Sequence, residues 1–396
     1  MTPEQAARLP GKRSIGPAGP GVGAQPPPAL VALLARADVR INGQRPWDIQ
    51  VHHPRLYQRM FSTWSLGVGE AYVDGDWDCD QLDDLFSRLL RADLEKQPLG
   101  WSRVLLVLER LRQGWLNLQS RDRAFEVGRR HYDVGNDVFE AMLDGRMVYS
   151  CGYWQHAGTL AQAQEHKLAL ICRKLQLQPG ERLLDIGCGW GGLARYAAET
   201  CGVQVTGVTV SREQLDWARR HCKGLDVDLR LQDYRALQGQ FDKIVSVGMF
   251  EHVGPLNHAV YLDTVQRLLA PEGLFLLHSI GLDAPGGATD PWIDRYVFPN
   301  GRLPAASEIT QAIEGRFILE DWQNFGADYD RTLMCWWANF EAAWPGLAPR
   351  YGERFYRQWR YYLLVCAGFF RSRQGQLWQL VLTHRGRQDV YRSVRL

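Results

Sequence analysis

Residues 183–192 read LLDIGCGWGG. An apolar run ends in Asp185, glycines at 187, 189 and 192 follow among four in the turn, and an apolar-periodic stretch begins at Leu193. This is the grammar of strand, tight turn and helix. The spacing satisfies G-x-G-x-x-G, in which glycine lets the backbone approach a ligand and the helix start offers free N–H groups. Nucleotide-binding turns and plain tight turns share that spacing, but the strand before it and the helix after it favour a ligand.

The same grammar repeats downstream. Strands are expected at 182–186, 203–208, 227–231, 241–247 and 274–280, with helices at 193–201, 213–221 and 258–269. Such alternation predicts a parallel sheet covered on both faces. Two further strands, 317–322 and 377–383, flank a long aromatic-rich helical stretch at 330–372. The expected fold class is therefore α/β, a seven-stranded Rossmann-like sheet with a late crossover and a final hairpin. That is the class I methyltransferase variant of the doubly wound fold.

Two details bear on the ligand. A dinucleotide site wants an acid at the end of the second strand to hold the ribose. Here that strand runs into Thr209 and Ser211, with no carboxylate before Glu213, so NAD is disfavoured. S-adenosylmethionine carries a sulfonium and an ammonium and no phosphate, so Asp185 beside the turn is electrostatically sensible. Asp233, after the third strand, is placed to meet the adenine end.

The rest of the chain bounds the reading. Its 396 residues suggest two or three domains, with 45% hydrophobic and 23% charged residues, ordinary for a globular protein. A net charge of +2 carries no polyanion signature, so no nucleic-acid partner is expected. Residues 1–28 hold seven Pro and five Gly and read as a disordered tail. Residues 29–120 read as a smaller, mainly helical N-terminal domain, and 121–396 as the catalytic domain. His52-His53 cannot share a helix face and reads as local structure. Eight scattered Cys, without CxxC or zinc spacing, suggest no metal, no disulfide framework and a reducing compartment. No apolar run approaches the ~18 residues of a membrane span. Ten Arg against Glu353 and Asp389 after residue 349 leave an excess of eight, which fits either an anion-facing surface or a plain solvated one.

Longer blocks carry a resemblance: INGQRPWDI (41–49), SLGVGEAYVDGDWDCDQLD (65–83), HYDVGNDVFEAMLD (131–144), YSCGYW (149–154), LDIGCGWGGLA (184–194), LQDYRALQGQFDKIVSVGMFEHVG (231–254), PEGLFLLHSIG (271–281), WIDRYVFPNG (292–301), FGADYDRTLMCWW (325–337), YYLLVCAGFFRSR (361–373) and QLWQLVL (376–382). In content and order the chain, from about residue 30 to 384, resembles the cyclopropane-fatty-acyl-phospholipid synthases and, more distantly, the mycolic acid cyclopropane synthases.

The resemblance implies transfer of a carbon from S-adenosylmethionine to a cis double bond of an unsaturated phospholipid acyl chain, with proton loss and ring closure. It also implies bicarbonate as the base, a lipid-binding N-terminal domain and a homodimer. Carried over, the cofactor contacts are Tyr149, Ser150, Gly187, Cys188, Gly189, Thr209, Gln214, Asp233 and Tyr234. The bicarbonate pocket is Cys151, Glu251, His278, Ile280 and Tyr329. Cys366 matches a second cysteine associated with activity and is expected to be structural support rather than a nucleophile. Read without the resemblance, His278 is a satisfied core histidine, Glu251 a helix cap, and Cys151 and Cys366 small buried hydrophobes.

The chemistry needs a dry site, because water would capture the cation formed on the chain. Six of the fifteen Trp lie between 322 and 378 and could line such a site or simply fill helix cores. A cytoplasmic enzyme docked on the inner face of the membrane is expected, through residues 30–120 or the Arg-rich C-terminal region. Two rivals stay open: an alkene methyltransferase leaving a methyl branch or methylene, and a non-catalytic lipid-binding scaffold.

Overall fold

The computed structural model describes residues 25–94, 134–285 and 289–395. The tail up to residue 24, the last part of the N-terminal domain expected at 29–120 and the start of the 131–144 block lie outside the described residues. The chain begins with α1 (Pro28–Ala35), β1 (Gln50–Val51), α2 (Arg55–Thr63), α3 (Ser65–Val73), β2 (Trp77–Asp78) and α4 (Leu82–Arg91). Pro28, the last proline of the tail, is a first-turn residue of α1, where its missing N–H costs nothing. His52 Nε2 lies 2.9 Å from Asp78 Oδ2, bracing the small β1–β2 pair.

After α5 (Asn136–Met142) and α6 (Leu160–Lys174) the alternation begins: β3 (Arg182–Ile186), α7 (Gly192–Cys201), β4 (Gln204–Thr209), α8 (Arg212–His221), β5 (Val227–Leu231), β6 (Phe241–Val247), α9 (His258–Leu268) and β7 (Leu269–Gly281). Then follow α10 (Pro291–Tyr296), α11 (Ala306–Ile313), β8 (Phe317–Asn324), α12 (Ala327–Arg371) and β9 (Gln376–His384). The boundaries match the expected ones within two residues for most elements. β7 departs furthest and starts five residues early, because Phe241 pairs with Leu269 before a bulge re-registers Lys243 onto Leu274.

The seven-stranded sheet has the order β5-β4-β3-β6-β7-β9-β8. β3 to β7 are parallel, and β9 runs antiparallel to both β7 and β8. Alternate residues face opposite layers. Leu184, Ile244, Phe275, Leu277 and Leu380 pack with α9 and α11, while Leu183, Val245, Leu274, Leu276 and Val381 pack with α6 and α7. The chain leaves β3 toward β4 and later returns to β6 on its other side. That reversal opens a crevice at the strands' C-terminal ends.

α12 breaks at Gly352, whose φ of 72° few other residues adopt, with Pro345 and Pro349 just before it. Its second half is where much of the C-terminal arginine excess goes. Arg357, 8% exposed, donates to the carbonyls of Tyr72 (2.7 Å) and Trp77 (3.0 Å) and pairs with Asp78 at 2.8 Å. Arg360 donates to the carbonyls of Cys79 and Asp80, and Arg354 pairs with Asp74. Arg371 bridges Asp83 and Asp330. The acidic stretch after α3 is thus the internal partner of the arginines. The N-terminal helices also share one apolar core with α12: Tyr72, Leu82 and Leu85 cluster with Tyr361, Leu364 and Phe370. No helix among the described residues is long and apolar enough to cross a membrane.

Candidate active site

The glycine turn shapes the floor of a cleft at the sheet reversal. Gly187 (φ 86°), Gly189 (φ 54°) and Gly191 (φ 78°) all occupy the left-handed region that favours glycine. A Cβ on Gly189 would meet nothing within 4 Å, so this turn leaves open space where a ligand can approach the backbone. Asp185 ends β3 beneath it, 2% exposed, with Oδ2 lacking a hydrogen-bond partner among the described residues. Burial pushes its carboxyl up to about 7, opposed by the charge of Lys167.

All nine residues expected at the cofactor line this one cleft. Thr209 Oγ1 donates to Gln214 Oε1 at 3.0 Å, which fixes that wall. Asp233 is engaged from within, accepting from Arg235 Nε (2.9 Å) and Nη2 (2.6 Å). Tyr149 is half-buried in an aromatic group with Phe139, Trp190 and Trp336, its hydroxyl 2.5 Å from that of Tyr362. An acid without a partner, an open glycine turn and polar side chains at the β4 end suit a sulfonium-bearing nucleoside better than a phosphate. The cleft therefore fits S-adenosylmethionine.

Residues 149–154 form a strap between α6 and α12. Gln164 Nε2 donates to the Ser150 carbonyl (2.8 Å), and Tyr153 N–H to the Ala163 carbonyl (2.8 Å). From the other side Thr332 Oγ1 accepts from Gly152 N–H (3.1 Å) and Trp154 Nε1 (2.9 Å), and Asp328 accepts from Trp154 N–H (2.7 Å). Glycine is required at 152, since a Cβ there would lie 2.9 Å from that of Ala163. The strap puts Tyr149 and Ser150 on the cleft and Cys151 into an apolar cluster with Phe325, Leu377, Ile280 and Tyr329.

The other expected pocket residues join that cluster. Glu251, just past β6, accepts from Ile280 N–H at 2.7 Å, and its Oε2 is buried without a partner among the described residues. Burial pushes its carboxyl up to about 7 against these hydrogen bonds. His278, 1% exposed, stands edge-on to Phe325. Burial holds its ring neutral, with Lys167 and Lys174 adding to the effect. Gln379 Nε2 sits 3.2 Å from its Nδ1. With the amide nitrogen facing the ring, Nδ1 accepts and the ring proton falls on Nε2, which has no partner among the described residues. Burial raises the Tyr329 phenol well above its usual range, with Cys151, Tyr149, Glu251 and Cys366 all contributing. Its ring stacks on Phe370. Cys366, half-buried one turn away, has its thiol pushed up to about 12 by burial.

A family model described as mycolic acid cyclopropane synthetase matches residues 119–380. The cyclopropane-fatty-acyl-phospholipid synthase of Escherichia coli (strain K12) is 54% identical over 363 residues, covering 92% of this chain and 94% of its own. This chain belongs to the cyclopropane synthase family. Among solved structures, the cyclopropane synthase MmaA2 from Mycobacterium tuberculosis superimposes with a TM-score of 0.62 at 30% identity, covering 67% of this chain and 99% of its own. Mycolic acid cyclopropane synthase CmaA1, complexed with SAH and CTAB, gives 0.62 at 30% identity, covering 65% and 97%. The family fold is that of S-adenosylmethionine-dependent methyltransferases, as the glycine turn and sheet order indicated.

Sequence reading missed α6 altogether, and with it Gln164 and Lys167, and it missed Thr332 and Gln379. The signal for Lys167 was a lysine on a helix face that carries Leu160, Ala163, Leu170 and Ile171. Gln379 stands at an inward position of the apolar strand β9.

Proposed function

We propose that this chain is a cyclopropane-fatty-acyl-phospholipid synthase, with an unsaturated phospholipid acyl chain as substrate and bicarbonate as base. Family membership supports the transferase chemistry. One observation carries the finer reading: Glu251 Oε2, an acceptor, and His278 Nε2–H, a donor, are both buried in the same region with no partner among the described residues. Buried polar groups left unpaired cost about 1–3 kcal/mol each, so their persistence points to a small ligand that accepts from one and donates to the other. Bicarbonate has both capacities.

S-adenosylmethionine, when bound, supplies an electrophilic methyl carbon on a sulfonium. The chain's residues do the rest. Asp185, Thr209 and Gln214 would hold the donor in the cleft. The strap, with Tyr149 on one side and Cys151 on the other, joins cleft to pocket. Phe325, Phe370, Trp336 and Tyr329 keep the pocket apolar, and aromatic faces favour a cation developing on the acyl chain. Glu251 would accept the bicarbonate hydroxyl and His278 donate to it, leaving an oxygen to take the proton of the attached carbon. A small anion for this step avoids a fixed carboxylate that the cation could alkylate.

The substrate class requires contact with a membrane surface, and we assign that contact to the N-terminal helices, since much of the C-terminal arginine charge is paired internally. Homodimerisation is part of the same reading. The test is to give purified protein S-adenosylmethionine and vesicles of unsaturated phospholipid, measuring S-adenosylhomocysteine and the product's NMR spectrum. Ring-proton signals, with turnover lost on bicarbonate depletion and restored on its return, support the reading. A methyl branch or methylene, or bicarbonate-independent turnover, overturns it. Flotation with anionic and zwitterionic vesicles tests docking, and the sedimentation mass tests the dimer.

A further inference from the structure

Lys167 is a buried cation that the chemistry above does not use. It is 1% exposed, projects from the inner face of α6, and lines the cofactor cleft. Its Nζ donates to Ser150 Oγ at 2.8 Å. Strand parity places it precisely where charge matters. Asp185 on β3 and His278 on β7 continue the alternation of Leu183 and Leu276, which face the α6–α7 layer. β6 lies between those two strands and His278 is two residues further along than the partner level of Asp185, so the two side chains stand roughly 12 Å apart on one face of the sheet. Lys167 packs onto that face and acts electrostatically on both.

We propose that Lys167 is a positioning residue for the cofactor cleft: its ammonium pins Ser150 and provides the positive charge facing Asp185 beneath the glycine turn. The inference deepens the proposed function and rests on it. A buried carboxylate stays ionised only with compensation. Asp185 has no direct hydrogen-bond partner on Oδ2 among the described residues, and the Cys188 and Cys222 thiols near it are held neutral by burial. Lys167 in turn faces Asp144, Cys151 and Asp185, and burial brings its own ammonium down to about 8 against their pull. The cleft thus presents an ionised Asp185 to the bound nucleoside at neutral pH only while Lys167 is charged. Gln164, one turn earlier, holds the Ser150 backbone, so α6 fixes both the position and the charge of the strap.

The experiment is calorimetric binding of S-adenosylhomocysteine to the full chain between pH 6 and 9, needing neither lipid nor bicarbonate. In Lys167→Met the acid limb of binding moves up by about one unit or more, a loss of about tenfold at pH 7 that recovers toward pH 9. Lys167→Arg keeps the charge and the original midpoint. Ser150→Ala loses the hydrogen bond, weakening binding without moving the midpoint. Thermal melts establish that each variant is folded. Binding by Lys167→Met that equals the parent's, or that is weakened equally at every pH, overturns the proposal while leaving the proposed function standing. No binding by the parent chain overturns both. Should Lys167→Met not fold, a displaced midpoint in Lys167→Arg overturns it and an unmoved one supports it.

Discussion

The carboxylate of Glu251 accepts a 2.7 Å hydrogen bond from the backbone N–H of Ile280, so the turn after β6 is tied to the end of β7. The same residue keeps a second oxygen buried, with no partner among the described residues. One half of the carboxylate is structural and the other is available for chemistry.

That division predicts a stability–activity trade at position 251. Burial raises the Glu251 carboxyl from 4.5 to about 7, so from pH 4.5 to 7 the folded chain retains a proton the unfolded chain releases. Stability from this group therefore falls as pH rises through that window. At about 1.4 kcal/mol per unit, the penalty at pH 8 is about 3 kcal/mol. Glu251→Gln keeps an acceptor for Ile280 and removes the buried charge. It should gain stability relative to the parent on going from pH 5 to pH 8 in urea unfolding. Its turnover should fall by about 10²–10⁴, the usual worth of positioned acid–base groups.

Thr332 is the common anchor of the strap, accepting from Gly152 and Trp154 and donating to the Asp328 carbonyl at 2.9 Å. Thr332→Val keeps the shape and strands two buried donors, so urea unfolding should show a loss of about 2 kcal/mol or more. Thr332→Ser retains the hydroxyl and should lose less than half of that.

The arginine contacts divide by burial. Arg357→Met removes buried hydrogen bonds to the Tyr72 and Trp77 carbonyls and the charge paired with Asp78, which keeps His52, and should destabilise by about 2 kcal/mol or more. Arg350→Met breaks a pair with Asp137 in which the arginine is exposed and the aspartate half-buried, and should change stability by less than about 1 kcal/mol. Equal effects in parallel melts would show that the buried contacts do not join α12 to the N-terminal helices as described.

Cys366 tests the distinction between support and chemistry. A thiol held at about 12 is essentially never a thiolate at neutral pH. Cys366→Ala should retain most of its kcat and lose at most about 1–2 kcal/mol of stability from the small cavity. A folded variant with no turnover would make Cys366 a participant.

Gly69 sits where an added Cβ would lie 2.3 Å from Trp292 Cδ1, so Gly69→Ala must separate α3 from α10. Unfolding measurements should show a loss of about 1–3 kcal/mol, the usual range for overpacking.

Local chemistry alone determined the sheet. The periodicity of apolar residues located β3, β5 and β6 to the residue, and the glycines of 187–192 located the cleft, because a strand, a tight turn and a helix start are each written in consecutive residues. Asp185 was legible for the same reason. Three relationships were decided only by the tertiary structure. The arginines of α12 look like a charged surface in one dimension, yet they meet Asp74, Asp78 and Asp83 from some 280 residues away. His278 reads as a core residue until β9 brings Gln379 to its Nδ1 and leaves Nε2 bare. Lys167 gains meaning only when α6 packs onto the sheet face that Asp185 and His278 share. Backbone conformation and amphipathic faces depend on near neighbours along the chain, whereas the pairing of buried charges and orphaned hydrogen bonds depends on which distant segments exclude water from them.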